Sequence, residues 1–201
     1  NMLLHDIEVP NIYHTNSLKY NLLDYTEDDK FDVILMNPPY GGNEDKSIQG
    51  FFPDDLASSE TADLFMVLIM QRLKVGGRAG IVVPDGFLFG TDGAKLAIKR
   101  RVLTEFNLHT IIRMPGSVFA PYTSIATNIL FFDNERAEDA PEGYATKETW
   151  FYRLDMPEGY KHFSKTRPMQ LSHFQSVYDW WNNRMEIVSE DGNEKCRCFS
   201  V

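Results

Sequence analysis

Phe31-Asp32-Val33-Ile34-Leu35-Met36-Asn37-Pro38-Pro39-Tyr40 reads as a strand with an abrupt end. The run from Phe31 to Met36 is apolar except for Asp32, the pattern of a parallel strand covered on both faces. Asn37 precedes a proline and is therefore held extended. Pro38 and Pro39 fix their φ angles and bring carbonyls without N–H donors. The ladder must stop here, leaving a rigid lip at the carboxyl end of the strand.

Working outward, a polar stretch over 24–30 leads into this strand, and 12–17 is expected to form a shorter one. Asn1-Met2-Leu3-Leu4-His5 reads as the end of a helix already under way, which suggests a longer parent chain. The Gly- and Asp-rich segment 41–59 is expected to be a loop, long enough to carry function. Over 61–74, Ala62, Phe65, Met66, Ile69 and Leu73 recur at helical spacing, and Gly76-Gly77 supplies a stop. A buried strand follows over 78–84. An amphipathic helix is expected over 92–106, with Lys95, Lys99, Arg100 and Arg101 on its wet side. Two more strands are expected over 108–114 and 127–133.

Strand–helix alternation with short links implies an α/β fold, a doubly wound and mostly parallel sheet. The last two strands lack a helix between them and are expected to pair antiparallel at an edge. Beyond Asn134 a charged linker over 135–147 precedes a strand (148–155) and a helix (171–183) whose Trp180 and Trp181 read as packing. The expected organisation is a core over 1–135, lacking its first strands, and an extension over 136–201 of strand, helix and tail.

The chain has 201 residues, 43% hydrophobic and 13% aromatic, enough for a sizeable core. Its net charge of −9 argues against a protein that grips nucleic acid through its own basic surface. DNA stays open as a substrate if another chain supplies the grip. Cys196 and Cys198 are too few for a metal site and read as reduced thiols on a frayed tail, which suits a cytoplasmic protein. No run approaches the roughly 20 apolar residues of a membrane span, and no signal peptide is visible.

In open α/β sheets, sites form beyond the carboxyl ends of the strands, where Asn37-Pro38-Pro39-Tyr40 stands. The Asn37 side-chain oxygen and the Pro38 carbonyl are acceptors without acid, metal or nucleophile. Such a lip suits an exocyclic amine, whose lone pair is delocalised into its ring. Two acceptors gripping its hydrogens favour a tetrahedral nitrogen with the lone pair freed. Tyr40 can stack on the ring, a contact worth roughly 1–3 kcal/mol. Orientation and electrostatics then carry the rate. The plainer reading is a turn after a strand; the buried strand before it and the long loop after it favour the site.

On these residues the chain resembles amino-methyltransferases that use S-adenosylmethionine, and more closely the methylation subunit of type I restriction-modification systems, adenine-N6 DNA methyltransferases. The resemblance extends to Ala62-Asp63-Leu64-Phe65, to Leu73-Lys74-Val75-Gly76-Gly77-Arg78-Ala79 and to Val82-Val83-Pro84-Asp85-Gly86. It continues through Met114 to Thr123, Thr127-Asn128-Ile129-Leu130-Phe131-Phe132, Trp150-Phe151-Tyr152 and Lys165-Thr166-Arg167-Pro168. It implies a Rossmann-like fold and an adenine flipped out of the duplex before chemistry. Asn37, Pro38, Pro39 and Tyr40 would be catalytic, with Tyr40 stacked on the base and Phe119 as a second wall or, alternatively, a packed loop aromatic. Asn16, Ser17 and Leu18, with Asn37, would border the cofactor, although the family often carries an acid where Asn16 stands. The implied partners are duplex DNA, a specificity subunit, a restriction subunit and a second methylation subunit.

The family's glycine-rich cofactor loop and ribose-binding acid lie upstream of these strands, so this chain alone is expected to bind S-adenosylmethionine weakly or not at all. Two rival readings stand beside this one. Methyltransferases of a release-factor glutamine share Asn-Pro-Pro-Tyr, because an amide NH2 poses the same problem. A non-catalytic assembly surface for a specificity subunit is the other.

Overall fold

A computed structural model describes residues 2–189 and 191–201. The opening strand forms as β1 (Phe31–Met36). A short turn of helix, α1 (Lys46–Gln49), lies inside the expected loop, and α2 (Thr61–Arg72) follows it. The chain continues through β2 (Leu73–Pro84), α3 (Asp85–Phe89), α4 (Gly93–Glu105), β3 (Asn107–Arg113) and β4 (Thr127–Asp133). Then come β5 (Glu148–Arg153), α5 (Gln175–Trp181), β6 (Ile187–Val188) and β7 (Glu194–Ser200).

These strands make one 7-stranded sheet in the order β1-β2-β4-β3-β5-β7-β6. β1 pairs parallel with β2, and β3 with β5, while β4 and β7 run antiparallel to each of their neighbours. The other strands all share one direction, so the mostly parallel, Rossmann-like sheet is the one that forms. The antiparallel pairing expected of 108–114 and 127–133 is β3–β4, inside the sheet; the antiparallel edge is β7–β6. Residues 136–201 thus extend the same sheet.

Successive strand residues face opposite sides, and Ile111 and Ile112 accordingly belong to different cores. Ile111 joins Ile34, Ile81 and Phe132 beneath Leu64, Met66 and Ile69 of α2 and Ile98 of α4. Full burial of such a side chain contributes about 1.5–3 kcal/mol. Ile112 joins Met114, Tyr152 and Cys196 beneath Trp180 of α5. The paired tryptophans pack, as expected: Trp180 lies 4.9 Å from Tyr152 and Trp181 4.9 Å from Phe131, centroid to centroid.

Several expectations need correction. Met2–His5 form a single 3-10 turn, and Asn1 lies outside the described residues. Residues 12–17 form no strand. Among the described residues none lies beside them to complete a ladder, and an isolated extended segment leaves its backbone groups unpaired. β1 is covered on one face only: Ile34 is buried, whereas Leu35 is 77% exposed. Its apolar run marks a face that no described element covers.

The helix ends at Arg72, and Gly76-Gly77 falls inside β2 rather than stopping α2. A register shift against β1 separates the pairs Phe31–Leu73 and Val33–Arg78. A Cβ on Gly77 would lie 2.8 Å from the Lys74 carbonyl and 3.0 Å from that of Asp32, both backbone atoms. Gly77→Ala is therefore expected to cost roughly 1–3 kcal/mol, read as a lower urea midpoint at unchanged slope.

The C-terminal segment is no frayed tail. It is strand β7, with Cys196 2% exposed. Burial pushes the Cys196 and Cys198 thiols up to about 11. Two units above the ordinary value leave about 100-fold less thiolate, so at pH 8 both should resist a thiol reagent until the chain is denatured. The sign for stability follows. The folded chain keeps the Cys196 proton where the unfolded chain has lost it, so stability is full below about pH 9 and falls toward pH 11, by an amount on the order of 2 kcal/mol. Rapid native labelling would contradict this placement.

Candidate active site

The lip at the end of β1 emerges as expected: Asn37 is exposed, Pro38 buried and Tyr40 half-buried. The Tyr40 hydroxyl donates to the Asn37 carboxamide oxygen. Burial pushes the Tyr40 phenol up to about 12, so it remains a donor through the neutral range. The Tyr40 ring meets Phe119 at 6.1 Å between centroids and 60° between planes. The structure thus brings Phe119, distant in sequence, against Tyr40, which is bonded to Asn37. With the rings in contact, a planar guest enters only if one of them swings. An incoming amine must also displace the Tyr40 hydroxyl from Asn37.

Beside the lip, on the uncovered sheet face, lies a hollow of about 360 Å³ lined by Leu35, Met36, Asn37, Val82, Ile129 and Phe131. Gly80 keeps its floor low, since a Cβ there would meet Leu35 and Phe131 at 3.1 and 3.2 Å. A larger hollow, about 570 Å³, lies between α3–α4 and the β3–β5–β7 part of the sheet. It contains neither Asn37, Tyr40 nor Phe119, and its lining is almost wholly apolar. Of the two, only the smaller hollow borders the Asn37 acceptor.

The lip is held from behind. Gly41 adopts φ +70°, and a Cβ on Gly42 would lie 2.7 Å from the Thr61 hydroxyl. Thr61 N–H donates to the Gly42 carbonyl (3.0 Å), and Glu44 N–H to that of Ser59 (2.8 Å). The loop after the lip is therefore closed at its base, on the first turn of α2.

Directly behind that turn sits a charge cluster. The Lys95 ammonium lies 2.6 Å from Glu60, 2.9 Å from Asp63 and 3.3 Å from Asp92. Asp63 is fully buried and also accepts from the Ser58 hydroxyl at 2.7 Å. Burial alone would push the Lys95 ammonium down, but the carboxylates outweigh it and hold it above the usual lysine range. Lys95, expected on the wet side of its helix, is 3% exposed.

A second polar cluster was not singled out from the sequence. Asp85 follows β2 as Asn37 follows β1. Its carboxylate accepts from Arg113, at the end of β3, and from the Asn128 side chain at 2.8 Å, at the start of β4. The available signal was position: a polar residue just past a strand's carboxyl end.

Asn16 and Ser17 are exposed on a turn, and the Asn16 side-chain oxygen accepts from Leu18 N–H at 2.9 Å. The Leu18 side chain, 1% exposed, belongs to the core. No described hydrogen bond links 16–18 to the lip. Among the described residues no group of three or more His, Cys, Asp or Glu side chains has the geometry of a metal site. No helix among them is long and apolar enough to cross a membrane.

Fold and lip together define a Rossmann-like α/β domain with two hydrogen-bond acceptors, the Asn37 side chain and the Pro38 carbonyl, at the carboxyl end of β1. The model of the N-6 DNA methylase family matches residues 1–200, and the chain belongs to that family. It is 49% identical over 197 residues to the methylase subunit of the type I restriction enzyme EcoEI of Escherichia coli, covering 97% of this chain and 38% of that one. A modification subunit assigned to a type I restriction enzyme of Vibrio vulnificus YJ016 superposes with TM-score 0.82 at 42% identity, over 96% of this chain and 42% of the other. A structure from a study of complex assembly and conformational transition in a type I restriction-modification system gives 0.81 at 38% identity, covering 100% of this chain and 40% of the other. The chain therefore spans about two fifths of the length of these relatives.

Proposed function

We propose that this chain is the amine-binding part of a type I methylation subunit, which transfers a methyl group from S-adenosylmethionine to N6 of an adenine flipped out of duplex DNA. The observation that supports it most directly is the junction of Asn37, Tyr40 and Phe119 at the strand ends. Asn37 and the Pro38 carbonyl would take the two amine hydrogens once the Tyr40 hydroxyl has moved aside. Tyr40 and Phe119 would enclose the base, as enzymes that act on an extruded base require.

The residues fit the cofactor in part. Asn16 and Ser17 stand exposed and able to border it, together with Asn37, whereas Leu18 would contribute only through its backbone. The cofactor would supply the electrophilic methyl; everything this chain does is to bind, orient and polarise the amine. Residues 1–135 would form the catalytic core and 136–201 its extension. A specificity subunit, a restriction subunit and a second methylation subunit are the partners this reading brings, in keeping with the acidic balance of the chain. The 49% identity to a type I methylase subunit favours DNA over a glutamine side chain.

The test is methyl transfer by the intact subunit with its specificity subunit, offered tritiated cofactor, duplex DNA and a glutamine peptide. Label at adenine N6 is expected. Label on the peptide alone would overturn the reading.

A further inference from the structure

Although the chain carries a net charge of −9, the stretch 159–168 holds Lys161, Lys165 and Arg167 and no acid. The structure builds this stretch into a defined turn. Gly159 adopts φ +74°, and Ser164 and Arg167 form an antiparallel bridge. The Arg167 guanidinium lies 3.6 Å above the Tyr160 ring and donates to the Gly159 carbonyl at 3.1 Å, so this cation is spent on the turn itself. Phe163, 1% exposed, anchors the turn between Tyr160 and His173 at 5.5 and 5.6 Å. Lys161 and Lys165 remain: both are exposed, and neither has an ion-pair or hydrogen-bond partner among the described residues.

What gives these two lysines a place is the attachment of the turn. Phe163 N–H donates to the Ser117 hydroxyl oxygen at 2.8 Å. Ser117 stands two residues before Phe119 and adopts φ +61°, a left-handed conformation that a non-glycine residue holds only at a cost of about 1–2 kcal/mol. The basic turn is thus fastened to the loop that carries the second aromatic wall. A nucleotide extruded about its backbone leaves its flanking phosphates at the mouth of the pocket.

We propose that Lys161 and Lys165 bind backbone phosphates flanking the extruded adenine, giving the acidic chain its own electrostatic hold on DNA beside the site. This rests on the adenine-methylation reading above. It assigns the lysines to the sequence-independent part of binding, because a phosphate contact carries no base information.

The test is the Lys161→Gln/Lys165→Gln variant in the full chain with its specificity subunit, with duplex binding measured across a salt series. Each phosphate contact contributes about 0.9 to the slope of log K against log salt. The slope should therefore become shallower by about 1.8, with weaker binding to cognate and non-cognate duplexes alike. An unchanged slope overturns the proposal, whatever else moves. So does loss of the specificity subunit at unchanged slope, which would assign the lysines to a protein partner. A wild-type complex that binds duplex but leaves adenine unmethylated overturns the functional reading, while the lysine contact is still judged by the slope alone.

Discussion

Asn37→Ala in the intact subunit is expected to lower kcat for adenine methylation by about 10²–10³-fold, the order found on removing one preorganised polar group from a reacting centre. The side-chain oxygen is one of the two acceptors at the lip, and it would grip the amine when the nitrogen turns tetrahedral, so the loss falls on the chemical step. Stability should barely change, because Asn37 is exposed and its side chain bonds only to Tyr40. Both aromatic walls remain, so 2-aminopurine at the target position should still report an extruded base. A variant within threefold of wild type would remove Asn37 from the chemistry. A variant that no longer extrudes the base would make it a binding residue instead.

Much of this site was legible because its signals are local. A proline after Asn37 and two prolines in a row dictate backbone geometry without reference to the rest of the fold, and the strand before them marks its own carboxyl end. Phe119 was placed only as one of two readings, since no local pattern says which loop aromatic will cross to meet Tyr40. The errors share one cause. Residues 12–17 carry strand composition, but a strand exists only through its neighbour. Leu35 is as apolar as Ile34, yet which faces of a sheet are covered depends on elements elsewhere in the chain. Gly76-Gly77 carries the composition of a helix stop, and only the approach of the Asp32 carbonyl of β1 shows that Gly77 fits closely against a strand partner.

Lys95→Met is expected to be the most destabilising substitution on the helical face, about 3–5 kcal/mol, because it strands a buried carboxylate. In a chain of this size each kcal/mol moves Tm by roughly 2–4 °C, so a fall on the order of 10 °C should appear by circular dichroism. The reason lies in Asp63: fully buried, with one carboxylate oxygen lacking any partner and the other shared between Ser58 and Lys95. Without the ammonium, burial would drive that carboxyl toward its neutral form, the direction in which it already leans. The double variant Lys95→Met/Asp63→Leu removes both charges together and should recover most of the loss, since a buried ion pair contributes little against well-packed apolar side chains. A single variant melting within two degrees of wild type would show that the cluster does not hold α2 to α4. Lys95 also explains why helical periodicity misled here. The pattern of α4 places it among lysines and arginines on one side, and nothing within that helix reveals that Glu60 and Asp63 of another segment close over it. The ammonium is buried because the turn that supports the lip brings the Glu60 and Asp63 carboxylates there.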